Sequence, residues 1–150
     1  MSKVWREAPI RHRAVLIGDP VYRLHTYGKN HPLGIPRVSL AIDVIESYGA
    51  LQDNEYLASR KASQEELEWF HTKDYVSAVR TCEELGKIPK GYRERYNLGG
   101  FENPWFEGIF STPSLACGAS IQGAEQVLSG TMAFNSAGCM HHAMPNIAKE

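Results

Sequence analysis

The stretch AVLIGD, from Ala14 to Asp19, restricts what this chain can fold into more than any other segment. Its apolar side chains run without alternation, so a strand built from it has to be covered on both faces. A half-solvated antiparallel strand would show a polar residue at every second position, and Ala14 to Gly18 shows none. A second short apolar run, TMAF (Thr131 to Phe134), lies far downstream, and the intervening periodicity is helical. The order strand, helices, strand belongs to an α/β unit around a parallel sheet. At 150 residues the chain has the length of one domain.

The helices are legible from spacing and caps. Pro36 is expected to open a helix in which Val38, Ala41, Ile42 and Ile45 share a face, with Gly49 as the stop. SQEELEWF places Ser63 and Glu66 at capping-box spacing, so a short helix should start there, with Trp69 and Phe70 in the core. From Asp74 to Leu85, residues Tyr75, Ala78, Val79, Cys82 and Leu85 form one stripe. GKIPKGYRERYNLGG reads as a solvated loop carrying Lys87, Lys90, Arg93 and Arg95. Ser114 to Leu128 reads as a helix whose small residues (Ala116, Gly118, Ala119, Ser120, Ala124) allow a neighbouring backbone to come close, with Gly130 ending it. TMAF then delivers the chain to the loop FNSAGCMHHAMPN, Phe134 to Asn146.

Composition narrows the function classes. A net charge of −1 argues against the strong field of a nucleic-acid binder. No apolar run is long enough to span a membrane, and the N-terminal arm, residues 1–13, is basic and lacks the apolar run of a signal peptide. Cys82, Cys117 and Cys139 are widely spaced with no CxxC pair, so reduced thiols and a cytoplasmic location are expected. The paired His141 and His142 stand out. On a strand or a helix adjacent rings diverge, but in a loop both can be aimed into one pocket. There they could bind a metal, act as a proton acceptor and donor, or be two ordinary histidines satisfied by backbone or water.

AGCMHHAMP resembles the Gly-Gly-x-His-His-Ala motif of the histone deacetylase superfamily, in the flavour of the bacterial acetoin utilisation proteins. FHTKDYVSAV is similar to that family's Phe-His-x-x-x-Tyr segment. HPLGIPRVSLAIDVIESYGAL looks like its early His-Pro, Pro/Arg and first-helix region, and ENPWFEGIFSTPSLACGASIQGAEQVLSG like the stretch ahead of its histidines. The resemblance implies the three-layer arginase/deacetylase fold, a parallel sheet flanked by helices, of which these residues form the N-terminal half. It also implies zinc-dependent hydrolysis of an acetyl amide: acetyl-lysine, acetylpolyamine or a similar small acetylated amine. His142 would then be the general base and acid, and His141 would hydrogen-bond the attacking water. Arg37 would lie near an inner cavity, with Tyr22 a further neighbour, and Glu102 would take the rim position that grips the substrate backbone.

Two departures bear on that reading. Cys139 replaces the family's second glycine, and we read it as a small packing residue. The family's zinc ligands, an Asp-x-His pair and a later Asp, follow the histidine loop, and no Asp-x-His occurs in this sequence. Zinc is therefore expected for a complete family member with ligands beyond residue 150, and the 150-residue chain by itself is expected to be inactive. The competing reading is a truncated, non-catalytic form acting as a binding or regulatory module. A homo-oligomer pairing the sheets of two copies is a further option. His31 and His71 are read as loop-ordering or helix-start residues, and Trp105 and Phe106 as candidates for a substrate mouth.

Overall fold

The computed structural model describes residues 13–24, 27, 31, 34–52, 54–138 and 142–149; His141, Cys139 and nearly all of the basic arm lie outside them. Among the described residues three parallel strands form one sheet in the order β2-β1-β3. They are β1 (Ala14–Gly18), β2 (Tyr56–Ala58) and β3 (Met132–Asn135). The unalternating run AVLIG is the central strand and is buried along almost its whole length, as its composition requires.

Helix α5 (Ser111–Leu128) covers one face: Val15 and Ile17 of β1 pack with Ala119, and both Ile17 and Ala119 are fully buried. Helix α1 (Arg37–Ser47) approaches the other face, where Ile42 stands against Gly18. Leu16 shares that face with its register partners Tyr56 and Phe134. The cover of α1 does not extend over β3, so Met132 and Phe134 are 60% and 58% exposed. Pro36 stands one position earlier than expected, as the α1 N-cap, and Ala41 is exposed while Ser39 joins Ile42 in the buried face.

The remaining helices form a second layer of packing. Helix α2 (Gln64–Leu67) has the expected capping box, with Ser63 Oγ accepting from the Glu66 N–H and the Glu66 carboxylate accepting from the Ser63 N–H. It ends at Leu67, which leaves Trp69 and Phe70 on an exposed turn rather than in the core. Helix α3 (Lys73–Leu85) is capped by Thr72 and closed by Gly86 in the left-handed conformation. Its buried face is Val76, Ala78 and Cys82, whereas Leu85 is exposed. YRERY forms a short helix, α4 (Tyr92–Tyr96), inside the segment expected to be irregular. Tyr96 and Leu98 enter a core with Ala78, Cys82 and Ile109, and the Tyr96 hydroxyl donates to Asp74 at 2.7 Å.

The small residues of α5 do what their size suggests. A Cβ on Gly118 would stand 1.9 Å from the Arg60 carbonyl oxygen and 2.7 Å from the Ala62 nitrogen. At this crossing the chain leaving β2 bonds to α5 as if to another strand. The Ala62 N–H donates to Ser114 O at 2.9 Å, the Arg60 N–H to Gln122 Oε1 at 2.8 Å, and Gln122 Nε2 to Ala58 O at 3.2 Å. Helix α5 has no side-chain cap of its own; instead Glu83 of α3 accepts the Phe110 and Ser111 N–H groups, each at 2.8 Å, and the Ser111 hydroxyl.

Gly118→Ala should therefore cost about 3 kcal/mol or more, because the obstacle is backbone. Gly123→Ala, whose Cβ would meet only side chains at 3.7 Å and beyond, should be neutral or stabilising by up to about 1 kcal/mol. Urea melts of the two variants check this contrast.

Two carboxylates also set an acid limb. Bidentate Arg60, at 2.7 Å on each oxygen, and the capping box hold Glu66 at about 2 against an ordinary value of 4.5. Burial pushes Glu83 up, but its three donors outweigh that and leave it below its ordinary value. Both pKa values are lower in the folded chain, so their stabilisation is present above the ordinary carboxylate range and is lost as pH falls, for Glu66 as it approaches about 2. Glu66→Gln with Glu83→Gln should flatten the fall in urea midpoint across that window.

Candidate functional site

The histidine loop leaves the C-terminal end of β3, the side on which parallel α/β sheets carry their ligands. Asn135, the last residue of the strand, anchors its start. Asn135 Nδ2 donates to Ser120 Oγ at 2.9 Å and to Ala116 O at 3.2 Å, both on α5, while its Oδ1 accepts the Ala137 N–H at 3.0 Å. The amide thus ties the loop to the helix and turns the chain at its first step.

Beyond the histidines the chain docks again. His142 is exposed. The Met144 carbonyl oxygen lies 3.1 Å from His71 Nδ1, and the Pro145 carbonyl accepts the Thr72 N–H at 2.8 Å. Ala148 exchanges bonds with the end of α4, its N–H donating to Tyr96 O at 2.9 Å and its carbonyl accepting from Asn97 Nδ2 at 3.1 Å. Ala148 also packs on the core around Tyr96.

Other expected site residues stand at the edges of this arrangement. Arg37 is the first residue of α1 and is exposed. Glu102 is exposed on the loop after α4, next to Phe101. An aromatic chain joins that loop to the segment after β1: Phe101 to His31 at 5.9 Å between ring centroids, His31 stacked on Tyr27 at 4.6 Å, and Tyr27 to Phe106 at 4.8 Å. Trp105 is pinned instead to α3, its Nε1 donating to Cys82 O at 3.1 Å. Tyr22 is buried beyond the end of β1; burial raises its phenol, and the neighbouring Ser59 hydroxyl pulls the other way. Among the described residues neither hydroxyl has a partner at hydrogen-bond geometry.

A cavity of about 200 Å³ opens between α3, α5 and the loop after α4, lined mainly by apolar groups such as Val76, Val79, Phe106 and Phe110. His71 and Tyr75 reach it, and burial pushes the Tyr75 phenol up to about 12. Arg37, Glu102 and His142 are not among its lining residues. Among the described residues no three His, Cys, Asp or Glu side chains converge where a metal ion could be held. The described residues by themselves therefore do not make up the ligand set of a metal ion.

Sequence reasoning missed Asn135 and gave His71 no partner. For Asn135 a signal existed, since a polar amide at the end of a buried strand needs bonded neighbours. For His71 none did, because Met144 lies far along the chain.

Comparison with known proteins accords with the geometry. Residues 31–149 match the histone deacetylase domain. The chain is 35% identical over 131 residues to the acetoin utilization protein AcuC of Bacillus subtilis, covering 86% of this chain and 34% of that protein. It is 30% identical over 122 residues to the histone deacetylase RPD3 of Saccharomyces cerevisiae, covering 79% and 28%. A crystal structure of a histone deacetylase homologue from Aquifex aeolicus superimposes with a TM-score of 0.88 at 44% identity, covering 91% of this chain and 37% of that one. The chain thus spans about a third of the length of these relatives. With that match over most of its length, and the partial arginase/deacetylase sheet already described, the chain belongs to the histone deacetylase family.

Proposed function

We propose that this chain is the N-terminal part of a deacetylase that hydrolyses the amide of a small acetylated amine or an acetylated lysine. The observation that carries this reading is the histidine loop at the C-terminal end of β3, anchored on both sides, within a match to the histone deacetylase domain. Zinc is the metal we assign to the complete protein, and its ligands are not among the described residues. What this chain supplies is proton transfer and substrate holding. A neutral His142 imidazole can accept a proton from an attacking water and return it to the departing amine, a role worth about 10²–10⁴ in rate. His141 is assigned as a hydrogen-bond donor to that water. Glu102, exposed and next in sequence to Phe101, is assigned to accept N–H groups of a substrate at the rim. Arg37 is assigned to the floor of the completed site, and the compartment we assign is the cytoplasm.

A second reading has one observation in its favour. The described residues lack a metal donor cluster, which suits a non-catalytic binding or regulatory module for a 150-residue form acting by itself. The intact mass of the protein purified from its source cells separates the two. A mass well above 16.8 kDa supports the enzyme, and a mass of 16.8 kDa supports the module. In a longer form, His142→Ala should lower kcat by about 10²–10⁴ with metal content unchanged. Loss of the metal in that variant would instead place His142 among its ligands.

A further inference from the structure

Two residues beyond His142, the loop is gripped by the start of α3. Consecutive carbonyls, Met144 and Pro145, meet consecutive donors, the His71 ring and the Thr72 N–H, at 3.1 and 2.8 Å. A carbonyl oxygen only accepts, so His71 Nδ1 must carry its proton to make this bond. Pro145 has no N–H, so the backbone of that residue can be held only through its carbonyl. The grip sits on a rigid base, since Thr72 caps α3 and Val76, Ala78 and Cys82 fix the helix in the core. Asn135 holds the other end of the loop to α5.

We propose that His71 is a positioning residue for the histidine loop, and that its Nδ1–H bond to Met144 sets the direction in which His142 is presented. The inference rests on the reading of His142 as the proton-transfer group. His71 touches no reacting atom and acts only through the backbone that follows His142. Its ring also contacts Phe70 and Tyr75, at 5.0 and 5.5 Å between centroids, so plain packing is the competing role.

Two substitutions separate bond from packing. His71→Asn retains a donor near the Nδ1 position and discards the ring, whereas His71→Phe retains a ring and discards the donor. In the 150-residue chain, hydrogen exchange of the amides from Ala143 to Lys149, read by mass spectrometry, should speed up about tenfold in His71→Phe and His71→Ala. In His71→Asn it should stay within about threefold of the parent. The Val79 and Cys82 amides should not respond in any of the three. The Cε1–H signal of the His142 ring should move in His71→Phe and return in His71→Asn. The opposite ranking, with the Phe variant like the parent and the Asn variant loosened, would make His71 a packing residue and overturn the proposal. A loosened tail with an unmoved His142 signal would overturn its positioning role. These readouts need no metal, substrate or turnover, so a failure of the deacetylase reading would appear in the activity and mass measurements and not here.

Discussion

The rest of the structure depends on the close crossing of α5 over the chain that leaves β2. With no side chain at Gly118, the helix backbone comes within hydrogen-bonding reach of residues 58–62. Ser59 still bonds to Gly18 of β1, but Arg60 and Ala62 run on past the end of a three-residue strand, where their N–H groups have no ladder to join. Ser114 O and the Gln122 side chain take its place. The crossing therefore sets the height of α5 above the sheet, and with it the packing of Ala119 on Val15 and Ile17.

That height reaches the candidate site through one side chain. Asn135 can bond Ala116 O and Ser120 Oγ only because α5 lies at this distance from β3. Its third bond, to Ala137, then turns the chain into the histidine loop. The loop is thus referenced at its start to α5 and at its end to α3 and α4. Helix α5 is itself capped by Glu83 of α3, so both references belong to one connected framework. A reactive side chain on a loop needs such support, because loop backbone alone seldom holds it in a productive direction.

Much of the framework was legible. The run AVLIG, the capping box at Ser63, the stripe in α3, the small residues of α5 and the strand ahead of the histidines were all read from residue type and spacing. Strand β2 was missed because three residues carry no periodicity, and its extended form comes from pairing with β1. Helix α4 was missed because Gly91 and its neighbours signalled a loop, although Tyr92 and Tyr96, one turn apart, were a clue. Trp69 and Phe70 were misplaced because hydrophobicity says nothing of where a four-residue helix stops.

The sequence by itself determined the class of sheet, the helices with strong caps, the family resemblance and the identity of the histidine pair. These follow from local preferences and from the burial that apolar runs demand, and both are written residue by residue. Only the tertiary structure decided which distant groups meet: Glu83 with the start of α5, Arg60 and Ala62 with α5 across Gly118, His71 with Met144, and Asn135 with Ser120. Such pairings depend on the summed geometry of every element between the partners. A hydrogen bond tolerates only a few tenths of an ångström, so no local pattern in the chain can announce it.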